Sequence, residues 1–252
     1  MRMSCATWMN QWRSRFRERA RHVTRTNLIV FDVGGTTVRD TVDVAAVFAA
    51  ALGQFGIVAP PDKVRESRGA SKREVIAELV ANANAEPDPG EVYRVFQDLL
   101  IAAFRTRGVE AIPGVEAAFG RLRANGIQVV LATGFDRSMM DVVIEQLGWE
   151  GIVDAVVTSD DVLRGRPAPD LILAAMRRAQ VKSVEAVVSV GDTVNDLRAA
   201  EAAGVGASIG VLTGAHDRRK LSTVPHSAIL ESAAEVPRWL SERQWSAAPR
   251  AS

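Results

Sequence analysis

Short apolar runs, rich in β-branched residues, recur at 28–31, 128–131, 155–158, 186–190 and 207–209, each bounded by polar or turn-forming residues. Apolar runs without strict alternation mark strands covered on both faces, the pattern of a parallel sheet. Helical periodicity fills the gaps between the later runs, at 115–124, 138–147, 169–179 and 194–203. Strand–helix alternation of this kind predicts an α/β fold, with helices on both faces of a parallel sheet. Ligands of such sheets sit beyond the carboxyl ends of the strands. Asp32, Thr133, Asp160, Asp161 and Asp192 all fall at or just after predicted strand ends, so they are expected to converge on one crevice.

Residues 43–107 break the alternation and read as helices only, over 44–55, 71–84 and 90–106. An all-helical insert after the first strand predicts a cap over the crevice. Ser71 followed by Glu74 has the spacing of a capping box, which predicts a helix beginning at Lys72. The expected organisation is a basic extension at 1–26, a core at 27–42 and 108–240, the cap at 43–107 and a tail at 241–252.

Composition narrows the class. The 252 residues are 47% hydrophobic and 24% charged with net charge +1, an ordinary globular balance with no case for nucleic acid. Seven arginines and one glutamate put +6 on residues 1–26 and leave −5 for the rest. That segment reads as a solvated extension, with an anionic partner as the alternative. The single cysteine, Cys5, excludes an internal disulfide and a cysteine-built metal site, in keeping with a reducing cytoplasm. No apolar run is long enough for a membrane span. His216 and His226 read as loop residues, and Trp239 and Trp245 as packing.

The chemistry concentrates in a few segments. In Leu28-Ile-Val-Phe-Asp-Val-Gly-Gly-Thr-Thr37 a buried strand ends in a carboxylate, followed by a tight glycine- and threonine-rich loop. Asp32 is the expected nucleophile, since a carboxylate can form a covalent phospho-aspartate and divide one hard step into two. Gly34, Gly35 and Thr36 are expected to hold phosphoryl oxygens. Thr133 and Gly134 at a second strand end offer a hydroxyl and an N–H for the same purpose, and Arg166 offers a cation opposite the developing negative charge. In Gly191-Asp192 and, one helical turn later, Asp196, two carboxylates face the same side. Mg²⁺ takes one or two carboxylates plus phosphate and water, so Asp32, Asp192, the Gly34 carbonyl and Asp196 are the expected metal set.

Taken in order, Asp32 with Thr36, Thr133, Arg166, and Asp192 with Asp196 resemble the four motifs of the haloacid dehalogenase superfamily. The resemblance implies a Rossmann-like core with a helical cap, Mg²⁺ and a phospho-aspartate. The metal-binding acid at Asp192 favours phosphorus over carbon–halogen chemistry. Most phosphatases of the superfamily carry an aspartate where Gly34 stands, which protonates the leaving alkoxide. Gly34-Gly-Thr-Thr37, Thr133-Gly-Phe-Asp-Arg-Ser-Met-Met-Asp141, Thr158-Ser-Asp-Asp-Val162 and Gly69-Ala-Ser-Lys72 are similar to segments of the phosphonoacetaldehyde hydrolase branch. That resemblance puts Lys72 at the position of a Schiff-base lysine, with Arg68 among its cationic neighbours as a substrate-binding residue. The chain has Val75 where that branch carries a histidine, and Phe135 where it carries a tyrosine. The implied function is Mg²⁺-dependent cleavage of the C–P bond of a small phosphonate aldehyde. A phosphate-monoester hydrolase and a non-catalytic binding homologue are the alternatives. The expected partner is a small phosphonate or phosphate ester, with no nucleic acid and no membrane, and a homodimer stays open.

Overall fold

The computed structural model describes residues 26–39, 41–58, 71–83 and 87–246. The arginine-rich extension, Arg68 with its neighbours Arg65 and Gly69, and residues 247–252 lie outside the described residues.

A six-stranded sheet is built from β1 (Leu28–Phe31), β2 (Gln128–Ala132), β3 (Ala155–Val157), β4 (Val187–Gly191), β5 (Ala207–Val211) and β6 (Ala228–Leu230). All neighbours are parallel, in the order β3-β2-β1-β4-β5-β6. β1 is central, with Phe31 level with Leu131 of β2 and Val190 of β4. The strand order reverses between β1 and β4, and the carboxyl ends on either side of that switch are where a Rossmann-like sheet opens a crevice. The sixth strand, Ala228–Leu230, has no counterpart among the predicted runs; it is three residues long and only half-buried, so its apolar signal is weak.

The strands alternate between two apolar layers. Ile29, Phe31, Val129, Leu131, Val188 and Val190 belong to one cluster, and Leu28, Val30, Val130 and Val187 to the other. Helices α4 (Val115–Ala124) and α5 (Arg137–Leu147) cover the first face. Helices α6 (Asp170–Arg178) and α7 (Val194–Ala203) cover the second, through Leu171, Ala175, Met176, Ala199 and Ala200. Both faces are dry, which is why the strands read as continuous apolar runs. A short α8 (Arg218–Leu221) and α9 (Val236–Ser246) complete the chain, α9 running beyond the expected core boundary at 240.

Between β1 and α4 lie α1 (Val44–Gly53), α2 (Lys72–Asn82) and α3 (Pro89–Arg107). The first two pack against α3, and α3 packs against α5. Phe48, Ile76 and Phe96 join the same cluster as the first face of the sheet. Polar contacts fasten the layers: the Tyr93 hydroxyl donates to Asp136 Oδ2 at 2.7 Å and Gln146 Nε2 to Phe104 O at 3.1 Å. Burial, together with the Asp136 carboxylate as acceptor, raises the Tyr93 pKa well above the usual phenol value and keeps the hydroxyl a donor. As expected α2 starts at Lys72, but its capping box is only half made. Ser71 Oγ accepts the Glu74 N–H at 3.4 Å, while the Glu74 carboxylate turns away to accept the Gly165 N–H at 2.9 Å.

Candidate active site

Asp32 stands at the carboxyl end of the central strand and is 7% exposed. The chain then folds back tightly. Val33 O accepts the N–H groups of Thr36, Thr37 and Val38 at 3.2, 2.9 and 2.9 Å, and the Gly35 N–H donates to Val38 O at 2.8 Å. The left-handed φ of +74° at Gly35 makes this reversal possible. The N–H groups of residues 35–38 are therefore engaged within the loop. Gly35 and Thr36, expected to hold phosphoryl oxygens, stand behind the cavity wall instead. Thr36 is fully buried and its hydroxyl donates to Asp192 Oδ1 at 3.2 Å. Gly34 does line the cavity.

Arg166 ties the site together. Its Nη1 donates to Asp32 Oδ1 at 2.7 Å, its Nη2 to Ala132 O at 2.6 Å, and its Nε lies 2.9 Å from Asp196 Oδ1. The last contact is an ion pair without hydrogen-bond alignment, and the buried Asp196 Oδ1 accepts no hydrogen bond. Asp196 Oδ2 takes the Thr193 N–H at 2.9 Å and the Thr193 hydroxyl, a completed capping box at the start of α7. Asp192 Oδ2 accepts the Ala215 N–H at 2.6 Å. Burial raises the Asp32 carboxyl far above the usual carboxylate range, against the pull of Arg166 and with the charge of Asp196 adding to the rise.

Asp32, Asp192 and Asp196 bring carboxylate oxygens within 4.8 Å of one another. Three buried carboxylates share this place with the Arg166 guanidinium and the Lys72 side chain, and one carboxylate oxygen, Asp196 Oδ1, lacks a hydrogen bond. An oxygen-only, anionic donor set of this kind fits a hard divalent cation. Asp32, the Gly34 carbonyl and Asp192 would hold it, with Asp196 beside them.

A cavity of about 410 Å³ opens over these groups. Asp32, Gly34, Thr133, Gly134, Arg166 and Asp192 line its floor, and Lys72 joins them from α2. Lys72 is only 9% exposed. The Thr133 N–H is taken by Val157 O at 3.0 Å, and its Oγ1 accepts the Phe135 N–H at 3.1 Å. Among the described residues, the hydroxyl hydrogen of Thr133 and the Gly134 N–H have no hydrogen-bond acceptor and can serve a ligand.

One expectation fails. Asp160 and Asp161 do not line this cavity. Asp161 Oδ2 accepts from the Thr158 N–H at 2.8 Å and pairs with Arg137, while Asp160 Oδ1 lies 3.5 Å from Arg73. Both residues lie in the 3₁₀ turn Ser159–Asp161 beyond the end of β3, where the Asp161 carboxylate closes a capping box on Thr158. His216 lies in a loop, as expected, where it is half-buried and its Nδ1 accepts the Val194 N–H at 3.0 Å. Sequence reasoning also missed the loop after β5, where Thr213 Oγ1 donates to Gly35 O at 2.6 Å and the Ala215 N–H fixes Asp192. The same strand-end rule that found Asp192 would have pointed there. Thr41, Asp43 and Arg107 on the cap side of the cavity were missed as well.

Residues 26–204 match the family described as haloacid dehalogenase-like hydrolase. The chain is 30% identical over 204 residues to a phosphonoacetaldehyde hydrolase of Bacteroides fragilis, covering 75% of this chain and 77% of that one. It is 27% identical over 231 residues to a phosphonoacetaldehyde hydrolase of Latilactobacillus sakei, covering 84% and 86%. A phosphonoacetaldehyde hydrolase-like protein of Oleispira antarctica has the same fold, with a TM-score of 0.77 at 22% identity over 91% of this chain and 96% of that one. With the fold, the Asp32–Arg166–Asp192 arrangement and these relatives in agreement, the chain belongs to the haloacid dehalogenase-like hydrolase family, in its phosphonatase-like branch.

Proposed function

We propose that this hydrolase cleaves the C–P bond of a small phosphonate aldehyde, with Asp32 as nucleophile and Lys72 as an imine-forming amine. The observation that carries the reading is the burial of Lys72 in the same cavity as Asp32, together with glycine at position 34, where an alkoxide-protonating acid would otherwise stand. The Lys72 amine condenses with the substrate aldehyde and releases water. Asp32 attacks phosphorus, and the C–P electron pair moves into the protonated imine to give an enamine. No alkoxide leaves, so no acid is needed at Gly34. The enamine carbon takes a proton, and water then frees the aldehyde from Lys72. A second water releases phosphate from Asp32. Arg166 holds Asp32 in place for attack, and Thr133 and the Gly134 N–H bind phosphoryl oxygens. A bound Mg²⁺ supplies charge neutralisation between nucleophile and substrate.

Reduction with borohydride in the presence of phosphonoacetaldehyde is expected to fix carbon on Lys72, and Lys72→Ala to leave only a small, measurable residue of C–P cleavage. Unchanged turnover in Lys72→Ala would sink the imine route. The presence of Arg107 in the cavity wall, a cation placed for a second anionic group, favours a second reading, a phosphate-monoester hydrolase of a small phosphorylated metabolite. Phosphate release from phosphoglycolate-like esters that survives Lys72→Ala would establish it.

A further inference from the structure

The first turn of α2 is docked onto the loop that precedes α6, and three successive residues do different jobs there. Lys72 turns into the cavity. Arg73 Nη2 reaches Asp160 Oδ1 at 3.5 Å, with its guanidinium 4.4 Å from the Tyr93 ring centre. Glu74 Oε1 accepts the N–H of Gly165 at 2.9 Å. Beneath them the backbones close up: a Cβ on Gly165 would lie 2.6 Å from Ser71 Cβ and 2.9 Å from Ser71 N. Gly165 is followed by Arg166, whose guanidinium is fixed by Asp32, Ala132 O and Asp196. The core side of this contact is therefore anchored, and the cap side is registered against it.

Glu74 sits where a capping box would have its carboxylate return to Ser71, yet that carboxylate serves the other layer. We propose that Glu74 is a positioning residue, which sets the depth of Lys72 opposite Asp32 by seating the start of α2 on Gly165. Arg73 with Asp160 steers the same turn from its outer side, which accounts for Asp160 at a strand end but outside the crevice. Glu74 touches no substrate; it acts only through Lys72. This rests on the reading of Lys72 given above.

Three variants and a double variant test it. Glu74→Ala is expected to lower kcat on phosphonoacetaldehyde on the order of tenfold, the scale of one hydrogen bond to a charged acceptor, with KM changing less. Glu74→Gln, which keeps a carbonyl oxygen at the same reach, restores kcat. Adding Glu74→Ala to Lys72→Ala costs nothing further, because the two act on one event. The Gly165 amide exchanges with solvent faster in Glu74→Ala than in Glu74→Gln. Reductive labelling of Lys72 by acetaldehyde and cyanoborohydride changes in Glu74→Ala relative to the other lysines, with no turnover required. Losses that multiply in the double variant overturn the proposal. So does a Glu74→Ala protein that loses thermal stability with Lys72 labelling and kcat unchanged. If only phosphate esters are turned over, and Lys72→Ala keeps that activity, the C–P reading fails while exchange and labelling still decide the role of Glu74.

Discussion

At the scale of single residues, Asp192 is the most closely fitted group of the site. Its two oxygens are held by the Thr36 hydroxyl and the Ala215 N–H. Its outer side has no spare room either, since a Cβ on Gly214 would lie 2.0 Å from Oδ2 and 2.4 Å from Cγ. Gly214→Ala must therefore push the carboxylate off its position or open the loop after β5. The expected result is weaker Mg²⁺ binding by about tenfold or more, roughly the worth of one misplaced charged ligand, with the fold kept. Titration calorimetry with MgCl₂, beside a circular dichroism spectrum, checks both halves. Asp32, Thr133 and Asp192 were legible from the sequence, because a residue one step past a buried strand has little freedom in where it points; Arg166, in the loop well past β3, was legible from its turn context and the order of the motifs. That Gly35 and Thr36 do not line the cavity was not legible, because the destinations of loop N–H groups depend on how the loop closes. That closure lies in the three-dimensional hydrogen bonding of Val33 O rather than in residue types.

At the scale of elements, the segment between β3 and α6 links cap, core and Arg166, and Asp161 holds it. Burial alone would raise the Asp161 carboxyl. The Thr158 N–H and hydroxyl, with the guanidiniums of Arg178 and Arg137, outweigh burial and keep it below its ordinary value of 3.8. A depressed carboxyl contributes stability that is present above 3.8 and is lost as pH falls through the folded-state value. Asp161→Asn is expected to lower stability at pH 7 by about 1 kcal/mol, since its arginine partners are half-exposed and screened. That difference from the parent should shrink as pH falls below 3.8, which thermal melts at a series of pH values will read directly. The elements themselves were readable where burial is complete. β1 and the helices at 115–124 and 194–203 match their expected limits, because the Leu28–Phe31 strand is buried throughout and both helices carry regular apolar faces. β6 escaped because three half-buried residues leave no periodic signal. The capping box at Ser71 failed in its second half because a tertiary partner, the Gly165 N–H, competed for the Glu74 carboxylate.

At the scale of the whole molecule, the cap and the sheet share one apolar cluster, and the acidic site lies under the cap. Roofing removes water from Asp32, Asp192 and Asp196 together, and the cost falls on the folded state alone. The Asp32 carboxyl, pushed up to about 7 by burial, shows where that cost appears. Below 3.8 both folded and unfolded chains hold this proton, and the site costs little. Between 3.8 and about 7 the unfolded chain releases the proton while the folded chain retains it, so stability falls as pH rises. This is the opposite direction to Asp161, and the two act in different pH windows. A divalent cation held by the same oxygens would replace the proton and remove the penalty. In EDTA the melting temperature is therefore expected to decline from pH 5 towards pH 8. Added Mg²⁺ should raise it by an increment that grows with pH, as mass action requires of a ligand bound only by the folded state. Asp32→Asn, which removes one carboxylate charge but keeps the shape, should melt higher than the parent in EDTA at pH 8 and show a smaller Mg²⁺ increment. A melting temperature flat with pH in EDTA, and unmoved by Mg²⁺, would show that the three aspartates are balanced from within the protein and that no cation is needed to hold them together.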